Sequence, residues 1–240
     1  MNRFCSAIAG VFATFLMPTV APAGIIDDFG ASPQTISKNT VGVFIDPVAG
    51  DPPLSHPSGV FGLDGYRRLQ LNVDKTDDNY ALTQILTSSG VWTSGTEAGV
   101  IASAQVVYGS TSGQFAALFT NTGTASDTFF RAVVVTADQD VSLTAILTDD
   151  GSRTASFNWP DLSAGSVAEA LLDSFARSDL AFDFTRVTSI AVTMQGPELW
   201  DASLTLLETA AVPEPSSLLA GLAVTGIIGL AAARHRRKQA

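Results

Sequence analysis

Val141-Ser142-Leu143-Thr144-Ala145-Ile146-Leu147-Thr148-Asp149-Asp150-Gly151-Ser152 decides the fold class. Val141, Leu143, Ala145 and Leu147 alternate with Ser142, Thr144, Ile146 and Thr148. A side-chain period of two belongs to a strand with one face buried and the other solvated. Residues 148–152 then read as a hairpin turn, because the Asp-Gly step tolerates tight-turn backbone angles. The same period recurs on both sides. Leu69, Leu71 and Val73 alternate with Arg68, Gln70 and Asn72. Ile190, Val192 and Met194 alternate with Ala191 and Thr193, and Leu204 and Leu206 with Ser203 and Thr205. Residues 129–137 (FFRAVVVTA) are more continuously apolar and read as a central strand.

Residues 166–177 (SVAEALLDSFAR) fit a helix, with Val167, Leu171, Leu172 and Phe175 on one face, and fit a strand equally. We read a strand there, and a single turn at residues 183–187 before a strand over 189–195. About ten to twelve short strands in one continuous domain predict an all-β protein, an antiparallel β-sandwich. No repeat of solenoid or propeller length is visible.

The composition agrees with a folded body. Of 240 residues, 46% are hydrophobic and only 15% charged, too apolar for a disordered chain. The formal net charge is −10. One cysteine excludes a disulfide scaffold, and two histidines exclude a histidine-rich metal centre.

Both ends read as targeting segments. In residues 1–23, Arg3 gives a positive start, residues 7–17 an apolar run, and Ala21-Pro22-Ala23 a small-residue cleavage site for signal peptidase. The run is too short to span a bilayer. Cys5 lies before it and leaves with the signal peptide. At the other end, residues 215–233 run for 19 positions without a charge, about 28 Å as a helix. Arg234, Arg236, Arg237 and Lys238 surround His235 behind it and stay cytoplasmic by the positive-inside rule. The expected organisation is a signal peptide over 1–23, an extracytoplasmic sandwich over 24–208, a linker over 209–215, a transmembrane helix over 216–233 and a basic tail over 234–240. Residues 24–215 keep eight basic residues against all 23 acidic ones, which argues against nucleic acid and for solubility or cation binding.

Val212-Pro213-Glu214-Pro215, the small-residue apolar span and the basic cluster resemble the PEP-CTERM sorting signal in content and order. That resemblance implies recognition by an exosortase, a membrane transpeptidase-like enzyme, and cleavage near the motif. It places the body first in the periplasm, held to the inner membrane by the C-terminal helix, then at the cell surface or in an exopolysaccharide matrix. The two prolines keep the motif extended, the form a protease cleft accepts. Val212, Pro213, Glu214 and Pro215 are thus residues of a substrate. The body itself resembles jelly-roll carbohydrate-binding modules of the galactose-binding-like type, through Ile26-Asp27-Asp28-Phe29 at its start and Leu199-Trp200-Asp201-Ala202-Ser203-Leu204 near its end.

Few residues point to chemistry in the body, and we expect no enzyme. His56, the body's one histidine, lies in a Pro/Gly-rich loop. Gly109-Ser110-Thr111-Ser112-Gly113 mimics a nucleophile elbow but centres on threonine, and reads as a turn. No phosphate or dinucleotide fingerprint is present. No cofactor is required. Calcium is the ion that carboxylate clusters would suit. One cluster is a loop over residues 74–79 (DKTDDN). The other is implied by the jelly-roll resemblance: Asp27 or Asp28 with Asp201, if first and last strands pair. Sugar binding asks for exposed aromatic faces, and Trp92 in a Ser/Gly-rich loop and Trp159 before Pro160 are the candidates. Two classes result: a non-enzymatic structural or carbohydrate-binding surface protein, and, as the alternative, a secreted glycan hydrolase using paired carboxylates.

Overall fold

The computed structural model describes residues 24–27, 29, 34–38, 40–46, 65–76, 83–88, 90–110 and 128–211. The signal peptide, the Val-Pro-Glu-Pro motif, the transmembrane helix and the basic tail lie outside them, as do Asp28, His56 and residues 77–79. Among the described residues no helix is long and apolar enough to cross a membrane.

The described chain forms fourteen strands: β1 (Gly24–Asp27), β2 (Gln34–Lys38), β3 (Gly42–Asp46), β4 (Gly65–Thr76), β5 (Thr83–Ser88), β6 (Val91–Thr96), β7 (Val100–Ser110), β8 (Thr128–Ala137), β9 (Val141–Asp149), β10 (Thr154–Leu162), β11 (Val167–Leu171), β12 (Ala176–Arg177), β13 (Val187–Gln195) and β14 (Asp201–Ala211). They build two antiparallel sheets. The first runs β11-β8-β14-β6-β5-β2, with β1 also paired to β14. The second runs β12-β10-β9-β13-β7-β4-β3. Their inner faces share one hydrophobic core, so the architecture is the antiparallel β-sandwich that the period-two pattern predicts.

Strand alternation puts the apolar set inside. In β9 every odd position from Val141 to Asp149 is buried and the even ones face out. The expected hairpin joins β9 to β10. The Asp149 carboxylate closes it, accepting from the backbone N–H groups of Gly151 and Arg153, both at 2.9 Å, and from Arg153 Nε at 2.7 Å. β8 is an interior strand between β11 and β14, as its continuous apolar run implies. Between the sheets Phe130 stacks on Trp159 at 6.0 Å, and Phe157 and Phe175 complete the cluster. β10 continues past Trp159 through a bulge, where Asp161 takes φ +54° and the register with β9 shifts.

Four segments differ from the sequence reading. Residues 166–177 are neither one helix nor one strand: β11 ends at Leu171, a 3-10 turn follows over Leu172–Ser174, and β12 begins at Ala176. Asp74, Lys75 and Thr76, expected in a loop, still belong to β4, and Gly109 and Ser110 to β7. β14 runs to Ala211, so residues 209–211 of the expected linker are strand. The single turn before β13 is present as a 3-10 turn over Phe184–Arg186, with the Asp183 carboxylate accepting from Thr185 N at 2.9 Å.

Candidate functional site

First and last strands do pair, Gly24 opposite Thr209 and Asp27 opposite Leu207. Asp201 lies at the other end of β14, opposite Gly95. Six positions of strand separate Leu207 from Asp201, about 20 Å at ~3.3 Å per residue. Asp27 and Asp201 therefore do not converge, which corrects the expected cation site for Asp27; its alternative, Asp28, lies outside the described residues. Among the described residues no group of three or more His, Cys, Asp or Glu side chains is placed to hold a metal ion.

Asp27 is occupied differently. It is fully buried between the sheets, where Oδ2 accepts from Arg67 Nη1 at 2.9 Å and from the Tyr108 hydroxyl at 2.8 Å. Its Oδ1 accepts from Phe29 N at 2.7 Å. Arg67 Nε donates to Gln34 Oε1 at 2.8 Å. Burial, reinforced by Asp27, holds the Tyr108 phenol well above its ordinary pKa, so it remains a neutral donor. The sequence reading missed this network. Its signal was parity: with Leu69, Leu71 and Val73 facing in, Arg67 must face in too, while Arg68 faces out.

The aromatic candidates are corrected as well. Trp92 is 0% exposed and Trp159 7% exposed. The Ser/Gly-rich context of Trp92 is strand β6, whose alternation turns Trp92, Ser94 and Thr96 inward. Trp92 packs against Phe29 at 6.2 Å. Neither tryptophan offers a face to a sugar.

A concave feature does form around Asp201, on the outer face of the first sheet. It is a cleft of about 270 Å³ lined by Gln84, Thr93, Ser94, Gly95, Thr96, Glu97 and Asp201. Register explains it. Gln84 on β5, Gly95 on β6 and Asp201 on β14 stand in one row across the sheet. Gly95 is the floor: a Cβ there would lie 1.5 Å from Asp201 Oδ1. Asp201 N donates to Asp138 Oδ1 at 2.6 Å, and Asp138 N to Asp201 O at 3.0 Å. Burial, and then the Asp138 carboxylate, raise the Asp201 pKa above its ordinary value. Thr136 and Ser203 hydroxyls share a hydrogen bond of 2.6 Å in the neighbouring row. The cleft thus offers carboxylate acceptors from Asp201 and Glu97 beside the amide of Gln84 and the hydroxyl of Thr93. That chemistry suits a ligand rich in hydroxyl donors.

Comparison with known proteins places residues 211–238 in the PEP-CTERM protein-sorting motif. No curated protein sequence matches the chain. Among solved structures, the family 11 carbohydrate-binding module of the cellulosomal cellulase Lic26A-Cel5E of Clostridium thermocellum aligns over 82% of this chain and 99% of its own, at 10% identity and TM-score 0.42. TmCBM61 in complex with β-1,4-galactotriose aligns over 75% of this chain and 88% of its own, at 8% identity and TM-score 0.27. An exo-β-agarase aligns over 61% of this chain and 23% of its own, at 7% identity and TM-score 0.36. Likeness at this level adds nothing to what the two sheets already show.

Proposed function

We propose that this chain is an exported surface or exopolysaccharide-matrix protein, a substrate of exosortase, whose sandwich is a non-catalytic module that contacts carbohydrate. The observation that carries the reading is the sorting motif over residues 211–238, which begins at Ala211, the last residue of β14. In that reading, cleavage near Val212–Pro215 removes the apolar span and basic cluster and leaves all fourteen strands intact. Signal peptidase acts at the other end, after Ala23, so that the mature chain starts with β1. The Asp201 cleft supports carbohydrate contact through its acceptors and its glycine floor.

The test is genetic. Pro213→Ala with Glu214→Ala in the native host should leave the chain in the inner membrane with residues 234–240 attached, while the unaltered chain reaches the surface or medium without them. Equal processing of both chains would contradict the proposal.

A further inference from the structure

The chain leaves the sandwich at one identifiable end. Short connections over residues 97–99, 138–140 and 196–200 link the two sheets at one pole, so β7, β9 and β14, which all start there, finish at the other. One level ties the sheets near that second pole. Tyr108, Ile190, Leu147, Ala155 and Arg177 stand in one row of the second sheet. The Tyr108 hydroxyl donates at 2.8 Å to Asp27, which pairs with Leu207 in the first sheet. From that level Ala211 and the hairpin residue Gly151 are each four positions further on, about 13 Å at ~3.3 Å per residue. Gly24 lies at the same pole, opposite Thr209. Both junctions with the apolar segments of the sequence, before Gly24 and after Ala211, are therefore at this one end.

The segment that follows β12 covers the same pole, with Ser178 N bonded to Thr154 O, Asp183 N to Asp149 Oδ2 and Asp150 N to Arg186 O. It presents Leu180, which is 94% exposed, whereas the next most exposed large apolar side chain among the described residues, Val41, is at 60%. Leu180 is held out rather than loose. Ala181 N donates to Asp179 Oδ1 at 2.8 Å and Phe182 N to Asp179 O at 3.0 Å. Phe182 and Phe184 are buried and meet edge to face at 4.8 Å, which fixes the turn behind it.

The chain outside the body says what Leu180 meets. Only residues 212–215 separate β14 from the apolar span over 216–233, at most about 14 Å of extended chain. The headgroup layer on each side of a bilayer is itself about 5–7 Å deep. A body tethered that closely brings this pole to the membrane surface. The charges there give no pull on anionic lipid. Arg153, Arg177 and Arg186 pair with Asp149, Asp173 and Asp150. Asp179 and Asp183 remain as two further carboxylates, each accepting from its own turn. The contact is therefore apolar and made with zwitterionic lipid. One aliphatic tip among polar neighbours suits a lipid interface, where the neighbours stay among headgroups, better than the broad packed core of a protein interface.

We propose that, until the chain is cut, this pole rests on the bilayer with Leu180 inserted at the lipid surface. The proposal rests on the sorting reading above, which anchors the chain through residues 216–233, and adds a docking surface and its partner. The test uses the full chain with Cys5→Ser, reconstituted in phosphatidylcholine vesicles and carrying an environment-sensitive NBD label on one cysteine. The label is placed by Leu180→Cys at the pole, by Val167→Cys on the flank, or by Leu199→Cys at the far end of β14. Melting curves establish that the labelled chains are folded. Emission from the label at 180 should be blue-shifted relative to the other two, and brominated lipid should quench it at least threefold more. Replacing half of the lipid by phosphatidylglycerol should not increase that quenching.

Equal quenching at the three positions in chains that float with the vesicles would overturn the proposal and leave the anchored reading standing. Quenching that requires phosphatidylglycerol would overturn it as well. So would a label at 180 that is shielded in membranes of the native host but not in vesicles, since the pole would then meet a protein. Chains that do not float with the vesicles would overturn the anchored reading and the proposal together.

Discussion

Arg67 Nη1 lies 2.9 Å from Asp27 Oδ2, and the two side chains are 3% and 0% exposed. The pair ties β1, in the first sheet, to β4 in the second. Removing the carboxylate leaves the buried Arg67 charge with neutral partners such as Gln34 and without the Asp27 counter-charge. Asp27→Ala should therefore destabilise the body by about 3–5 kcal/mol, read from the urea midpoint at unchanged slope. Tyr108→Phe removes one hydrogen bond to the same carboxylate and should cost less, about 1–3 kcal/mol. Equal, negligible losses would mean that β1 is held by its pairing with β14 alone.

Two glycines separate a surface clash from a core clash. A Cβ on Gly196 would lie 2.5 Å from Cγ of Trp200, which is fully buried. Gly196→Ala should cost about 1–3 kcal/mol, the range for overpacking. A Cβ on Gly95 meets Oδ1 and Cγ of Asp201, an exposed side chain that can swing aside, and lies 3.2 Å from the Trp200 carbonyl oxygen. Gly95→Ala should cost less than about 1 kcal/mol while rebuilding the cleft. Melting temperatures of the two variants decide the order.

Acid should loosen the β9–β10 hairpin first. Burial alone would raise the Asp149 pKa, but hydrogen bonds from Arg153 and from the Arg153 and Asp183 backbone N–H groups outweigh it and hold the carboxyl below its ordinary value. Hydrogen bonds from Thr185 lower Asp183 likewise. A lowered folded-state pKa gives stability that is present above the unfolded value, about 3.9, and is lost as pH falls through the folded one. Stability should drop below about pH 4, and Asp149→Asn should flatten that drop. Asp201 has the opposite sign. Its raised pKa makes the ionised form a burden at neutral pH, so Asp201→Asn should hold or raise the melting temperature there.

All three tryptophans sit in the core, Trp92 and Trp200 at 0% and Trp159 at 7% exposure. Their emission should be blue-shifted and resist iodide quenching. Trp92→Ala should cost about 3–5 kcal/mol, as core truncations of large aromatics do. Ready quenching in the folded protein would contradict the burial.

The frame of the sandwich was legible because its strands alternate cleanly and its turns carry their own chemistry, as at Asp149–Ser152. The inward turn of Arg67 was legible too, by parity with Leu69, but an arginine in a core carries no local mark. Trp92 misled because serine and glycine on both sides look like loop, whereas strand alternation hides every second residue whatever its neighbours. The Asp201 cleft depends on register between the consecutive strands β5 and β6 and the distant β14. No local pattern states which residue of one faces which residue of another. The Asp27–Asp201 pairing failed on that same point: the strands pair, but at opposite ends of β14.

The central claim is that the folded body is delivered and then separated from its C-terminal segment. Intact mass of the protein from its native host, cell envelope against medium, tests it most directly. The account predicts a species that starts at Gly24 and ends within residues 212–215, at the surface or in the medium. A species that keeps Arg234 to Lys238 and stays in the inner membrane would contradict it.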